Sequence, residues 1–412
     1  MRQVSKLVLV ALLLAVIPTH AQVTQITFGF KGIQGELEIY HELIAEFQRL
    51  NPDVEVTLIN LVGGGDWLDQ LLVMTIGGTT PDVCVMEYQQ SIPLIIQNVF
   101  MPLDELIKQD QTFSLDDYIP AAVNAHTYEG RLYGIPREIQ PFTLFVNKDE
   151  LNRAGLAYPT TDWDIYEMQD LARKMSFDTS GDGVMDIWGW RVDITLTRLA
   201  PFFHAFGAEF LDATRTQCLL DDQKAIDALQ FLYDAMHTYN ALAPLTVSPR
   251  FENANVGFYL GGPWMVPDFR KLSFDWDIAV VPKGPGGWGT TLGSDAYLIS
   301  RQTAHVDAAW RFVKFLAGPY AQAKMVELGH VIPSLTELVA GPEFQNPTNR
   351  PYNVEAYNVG FEIAKPSPVN LYWEDFQEIF QRQMNLALSG LMSPSQALGQ
   401  LAFETNLIFT FQ

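Results

Sequence analysis

Over residues 25–61 the hydrophobic pattern switches from strand-like alternation to helical spacing and back, and no other feature of the chain constrains its fold as strongly. Residues 25–30 alternate β-branched and aromatic side chains, which reads as a strand. Over residues 36–50, Leu37, Tyr40, Ile44 and Phe47 fall three or four apart with Leu43 and Leu50 beside them, forming one apolar helix face. Asn51-Pro52-Asp53 stops that helix, and residues 54–61 read as a second strand. A β-α-β unit implies parallel strands joined by a crossover, and so an α/β fold.

The same grammar continues. Gly63-Gly64-Gly65 opens a loop, and Asp66 is placed to cap a helix through Leu68, Leu71, Leu72 and Ile76. Pro81-Asp82 then leads into a buried strand holding Cys84. Ile226, Leu229, Leu232, Tyr233 and Met236 mark a further amphipathic helix, and Ser393-Pro394-Ser395-Gln396 is a capping box with proline at the first helical position. A chain of 412 residues without internal repeats exceeds what one core holds, so two lobes are expected.

The N-terminus reads as an address. Arg2 and Lys6 precede an apolar run over residues 7–17, followed by Pro18, Thr19, His20 and Ala21; cleavage is expected after Ala21. That run falls short of the roughly 20 apolar residues a bilayer span needs. No cysteine stands nearby to take a lipid, so a soluble periplasmic or secreted protein without stable membrane insertion is expected. The formal charge of -22 disfavours nucleic acid and anionic partners and suits a neutral ligand. Two cysteines, Cys84 and Cys218, are too few for a disulfide framework and are expected as free thiols.

Enzyme chemistry finds no foothold. The chain lacks GxSxG, HExxH and P-loop motifs, its 7 histidines show no ligand spacing, and no pair among its 48 acids is set apart as acid and nucleophile.

Several segments together resemble the extracellular solute-binding proteins of family 1, the carbohydrate-binding, maltose-binding-protein-like components of ABC importers. They are residues 39–56, Thr75-Ile76-Gly77-Gly78-Thr79-Thr80-Pro81-Asp82-Val83, Leu132-Tyr133-Gly134-Ile135-Pro136 and Leu144-Phe145-Val146-Asn147-Lys148. Gly261-Gly262-Pro263-Trp264, Leu292-Gly293-Ser294 and residues 308–316 follow in order. The resemblance implies a two-lobed periplasmic binding protein type II fold with hinge strands and a ligand cleft between the lobes. It places one lobe at 22–136 and 290–335 and the other at 137–289 and 336–412. It also implies a monomer without a required cofactor, which captures a sugar and hands it to the transmembrane subunits of an ABC transporter. Two alternatives stay open: a ligand of the glycerol phosphate type, and a sensor that presents bound sugar to a receptor.

A sugar needs flat aromatic platforms for its C–H faces and convergent carboxylates and amides for its hydroxyls. Trp264, after the break at Gly261-Gly262-Pro263, is the leading platform. Trp67 beside Asp66 is a second, with helix capping by Asp66 as the competing role. Glu36, read as lying in the loop after the first strand, reaches for a hydroxyl. Glu87, Tyr88 and Gln89 follow a strand at its carboxyl end, where ligands sit in open α/β sheets. Gly293, Ser294 and Asp295 form a bend, and Tyr372 and Trp373 precede a helix. Gln140 and Arg137 flank the first crossing between lobes. Trp163, Trp188, Trp190 and Trp310 sit inside regular patterns and read as packing.

One segment has the look of a metal loop. Asp178, Ser180, Asp182 and Asp186, with the backbone of Val184, match the oxygen positions of a calcium loop, but the twelfth position is Gly189 instead of glutamate. A structural calcium there is the single metal candidate.

Overall fold

The computed structural model describes residues 23–410 apart from Ile33, 61–66, Val184, Leu328 and His330. The leader segment, Asp66 and Val184 therefore lie outside the described residues.

Parallel pairing follows from the first β-α-β unit. β1 (Thr24–Phe30) pairs in parallel with β2 (Val54–Asn60), and α1 (Gln34–Leu50) crosses between them. Past α2 (Trp67–Ile76), β3 (Val83–Glu87) joins β1 on its other side, also in parallel. Asp82 staples this pairing: its carboxylate accepts from the Thr27 amide and hydroxyl, each at 2.7 Å, and from the Thr303 hydroxyl. α3 (Tyr88–Ile96) leaves directly from the end of β3. A short hairpin, β4 (Thr127–Tyr128) with β5 (Arg131–Leu132), then feeds β6 (Gly134–Pro136).

Here the chain changes sheets. It passes through β7 (Gln140–Pro141) into β8 (Thr143–Asn147), and β9 (Trp188–Arg191), β10 (Val256–Gly261) and β11 (Trp276–Ala279) complete a second sheet in the order β11-β8-β10-β9. β9 and β10 run parallel, while β8 is antiparallel to both β10 and β11. The chain returns through β12 (Thr290–Gly293), paired antiparallel with β7, to β13 (Asp295–Ile299). β13 slots between β3 and β6, antiparallel to both, and closes a five-stranded first sheet of order β2-β1-β3-β13-β6. A third passage runs beside the first: the Ile139 amide donates to the Ile332 carbonyl at 2.9 Å, and Glu138 bridges to Pro333. β14 (Ala364–Lys365) adds to β12.

Two apolar clusters cover the sheets. On one face of the first sheet, Phe28 and Phe47 meet the ring of Phe312 at 5.4 and 4.9 Å, edge-on. The other cluster begins on the opposite face of that sheet at Cys84, Met86 and Tyr88, runs through Ile139 and Phe142 at the crossing, and continues into the second-sheet core at Trp190, Trp276 and Trp373. With each large side chain buried there contributing about 1.5–3 kcal/mol, the crossing is part of a continuous core and not a bare tether. Trp163, Trp188, Trp190 and Trp310 are all buried, as their patterns require, and Cys84 and Cys218 are buried free thiols. The capping box at Ser393 and Gln396 forms. Among the described residues no helix is long and apolar enough to cross a membrane.

Candidate ligand-binding site

The crossings converge on one buried guanidinium. Arg137 Nη1 donates to Glu36 Oε1 and to the Tyr40 hydroxyl, each at 3.1 Å; Nη2 pairs with Glu138 Oε2 at 2.7 Å and with Asp295 Oδ2 at 2.8 Å. These groups come from α1, the first passage and β13. Ligation by three carboxylates leaves the cluster with an excess of acid in a buried place, where ionised groups are costly. Burial accordingly pushes the Glu138 carboxyl above the ordinary range, with Arg137 pulling it back and Asp295 and Glu36 pushing further. Gln140 on β7 donates its amide to Glu138 Oε1. Glu138 is also held through its backbone: the Ser294 hydroxyl donates to its carbonyl at 2.7 Å. Because that donation uses the hydroxyl proton, His126 Nε2, 3.0 Å from Ser294 Oγ, must carry a proton and donate to it.

Beside this cluster a second set of acids gathers from three segments. Glu87 closes β3, Asp295 opens β13, and Glu374 stands in the first turn of the helix Trp373–Leu388. Burial, then repulsion from Asp295 and Glu374, raises Glu87 to about 8. Near neutral pH its carboxyl therefore holds its proton for much of the time and can donate a hydrogen bond.

The second sheet supplies the aromatic wall. β9 and β10 are parallel, so their carboxyl ends share one edge, where ligands bind in open α/β sheets. Directly after β10, Gly262 and Pro263 turn the chain into a single helical turn, Pro263–Met265. Trp264 folds back over Gly262; a Cβ at that glycine would stand 1.9 Å from the indole, so the close approach requires glycine. The ring meets Phe142 edge-on at 5.1 Å and stays 36% exposed.

Around it sits a group that the sequence reading passed over. Arg198, on the helix Leu196–Ala205, holds its guanidinium carbon 5.1 Å from the Phe142 ring centre and 5.6 Å from those of Tyr259 and Trp264. Tyr259 donates its hydroxyl to Asp193 Oδ2 at 2.7 Å, and Arg191 pairs with Asp193 Oδ1 at 2.8 Å. The available clue was a lone arginine in an otherwise apolar stretch; its three aromatic partners are remote in sequence.

The remaining candidates divide by burial. Glu36 lies in the first turn of α1 and not in a loop, because the helix starts at Gln34 and takes in Gly35. Trp67 opens α2 but is 3% exposed, with the Lys31 ammonium 6.0 Å from its ring centre, and Trp373 is wholly buried against Phe376. Both therefore pack instead of offering a free face. Tyr88 is also buried. Its hydroxyl accepts from the Ser367 amide at 2.7 Å and the Gln89 amide at 3.1 Å, and Gln89 also reaches Ser367 Oγ at 3.2 Å. These two side chains tie α3 to the segment after β14. Ser294 is buried in the His126 relay. Gly293 ends β12 opposite Gln140 rather than forming a free bend, since β12 and β13 are nearly continuous. Tyr372 stays half-buried, its amide donating to Asn370 Oδ1 at 3.0 Å.

The acidic loop turns its oxygens on its own backbone. Asp178 Oδ1 accepts from the Ser180 and Gly181 amides at 3.1 and 2.7 Å, and its Oδ2 from Gly183 at 2.7 Å. Asp186 Oδ2 accepts from the amides of Thr179 and Ser180 at 2.8 and 3.0 Å. Among the described residues no group of three or more His, Cys, Asp or Glu side chains gathers to hold a metal ion. The Asp178 and Asp186 carboxylates thus hold the turn through its own amides.

A family model described as bacterial extracellular solute-binding protein matches residues 42–351. The chain belongs to this family. Its members are binding components of transport systems and not enzymes. The maltotriose-binding protein of Pyrococcus abyssi is 24% identical over 322 residues, a match covering 76% of this chain and 66% of that one. Among solved structures, the sugar-binding protein MalE from Xanthomonas citri superposes with a TM-score of 0.82 at 22% identity, covering 94% of this chain and 98% of that one. An ABC substrate-binding protein from Listeria monocytogenes, in complex with cycloalternan, gives 0.81 at 21% identity, covering 94% and 100%. The fold is thus the two-lobed, maltose-binding type.

Proposed function

We propose that this chain captures an oligosaccharide between its two sheets and delivers it to the permease of an ABC transporter. The observation that carries the reading is Trp264: a half-exposed indole at the carboxyl edge of the second sheet, next to crossings lined with carboxylates and amides. That pairing of apolar platform and hydroxyl partners suits a sugar ring. Relatives named for maltotriose and cycloalternan support the ligand class.

In this reading the lobes are residues 22–136 with 290–335, and 137–289 with 336–412. Trp264, Glu87, Asp295, Gln140 and Tyr372 face the sugar, and Glu36 acts through Arg137. The protein works as a monomer outside the cytoplasm after cleavage at Ala21. Sugar touching both lobes would favour the closed arrangement over the open one.

Thermal unfolding against a panel of oligosaccharides, glycerol phosphate and amino acids tests this. A ligand at 1,000 times its Kd adds about 4 kcal/mol, a rise of roughly 5 °C for a chain of this length. A rise with maltotriose or a similar sugar, without turnover, is expected. A rise with glycerol phosphate alone would sink the sugar assignment.

A further inference from the structure

From the aromatic wall we infer that Arg198 is a ligand-contacting residue, receiving a pair of adjacent acceptor oxygens from the sugar ring seated on Trp264; the inference rests on the sugar reading above. Those oxygens belong either to two vicinal hydroxyls or to a ring carboxylate, and both present the same spacing to the fork of a guanidinium.

Four observations carry it. First, Arg198 makes no ion pair among the described residues, whereas its neighbour Arg191 is paired with Asp193. Second, among the described residues the one hydrogen bond from its guanidinium runs from Nη1 to the Leu260 carbonyl. A guanidinium carries five N–H donors, so most of the fork is uncommitted. Third, three rings fix the group in place without using those donors. The ring centres of Phe142, Tyr259 and Trp264 lie within 5.6 Å of its guanidinium carbon, contacts that occupy none of its N–H donors in a conventional hydrogen bond. Fourth, it stands beside the half-exposed indole of Trp264, just past the carboxyl end of β10. A ring stacked on Trp264 brings its substituents within the reach of Arg198.

Charge adds a reason for the placement. The crossing side of the site gathers the carboxyl groups of Glu36, Glu87, Glu138 and Asp295 around the single Arg137, whereas Arg191, Arg198 and Asp193 leave the Trp264 side with one excess positive charge. A sugar between them meets mainly carboxyl groups on one side and a guanidinium on the other. Sugar hydroxyls serve both, and a carboxylate is admitted only toward Arg198.

Calorimetric titration of the full chain with maltotriose and with trigalacturonic acid tests the assignment. The variants are R198M, which keeps a long apolar stem and removes every donor, and R198K, which keeps the charge and loses the fork. For whichever sugar the wild type binds, R198M is expected to weaken binding at least tenfold with its melting temperature near the wild-type value. R198K should regain only part of the loss, because one ammonium cannot hold two oxygens side by side. Equal loss for maltotriose assigns the hydroxyl pair; a wild-type preference for trigalacturonic acid that disappears in R198M assigns the carboxylate. Wild-type affinity in a folded R198M overturns the inference and leaves the sugar reading standing. Should R198M fail to fold, unchanged affinity in R198K overturns it as well. A wild type that binds neither of these nor any oligosaccharide of the thermal panel overturns both readings.

Discussion

Replacing Arg137 with methionine removes the guanidinium at the meeting point of the crossings while keeping most of the stem volume. The carboxylates it leaves differ in access to water. Glu36 and Glu138 are 6% and 1% exposed and cannot rehydrate, whereas the Asp295 side chain is 28% exposed and can. Removing one member of a buried ion cluster costs about 3–5 kcal/mol, chiefly through the charge left behind. At roughly 2.1 cal/mol/K of unfolding entropy per residue, a cost of that size lowers the melting temperature by about 4–6 °C. The pH dependence gives the sharper check. A carboxyl whose folded pKa lies above its unfolded value stabilises the fold while protonated and ceases to as pH rises through the raised value. Glu138 is already displaced upward by burial, and loss of Arg137 removes the attraction that opposes it. The deficit of R137M should therefore be small near pH 5 and large near pH 8, and adding E138Q should recover part of it. Calorimetric melting of wild type, R137M and R137M/E138Q at both pH values measures this. A drop below about 1 °C at pH 8, or an equal drop at both pH values, would refute the stranded-charge argument.

Other expectations concern single positions. W264A should weaken sugar binding by about 10- to 100-fold, a loss of 1–3 kcal/mol of aromatic contact, with little change in melting temperature because the ring is half outside. Glu87, raised to about 8, contributes stability that is fully present below the ordinary carboxylate range and fades as pH rises through about 8. E87Q should flatten that decline, read as the urea midpoint at pH 6 and pH 9. G189A should cost at least 1–3 kcal/mol, because a Cβ there would stand 1.7 Å from the Ala172 carbonyl oxygen in the preceding helix; a wild-type urea midpoint would contradict that packing. Adding calcium or a chelator should leave the melting temperature unchanged, and a rise with calcium would show that the loop at Asp178 rearranges to bind it.

Much of the first sheet was legible because its signals are local. The period switch over residues 25–61 yields β1, α1 and β2 in the right order and with parallel pairing, and Pro81-Asp82 marks the start of β3. The antiparallel insertion of β13 between β3 and β6 was not legible, since it pairs segments at least 160 residues apart and depends on the chain returning from the second sheet. The candidate site divides in the same way. Trp264 stands out because two glycines and a proline halt β10 immediately before it. Tyr372 and Trp373 are adjacent in sequence, and only the phase of the following helix decides that the second is buried and the first is not. Glu36 looked like a loop residue because Gly35 suggests a turn, but α1 accommodates that glycine in its first turn. Apart from the adjacent Glu138, the Arg137 cluster joins residues 97 to 158 positions apart, and the Arg198 cage joins residues 56 to 66 apart, so no local motif announces either.

The two thiols have a practical use. Burial raises Cys84 well above the ordinary thiol range and Cys218 to about 12, so neither supplies a thiolate to a surface reagent while the protein is folded. A cysteine introduced at an exposed position such as Tyr352 or Leu371 would be the one site that takes a maleimide dye. The native chain is therefore ready, without removal of its own cysteines, to be made into a fluorescent reporter whose signal follows the approach of one sheet to the other.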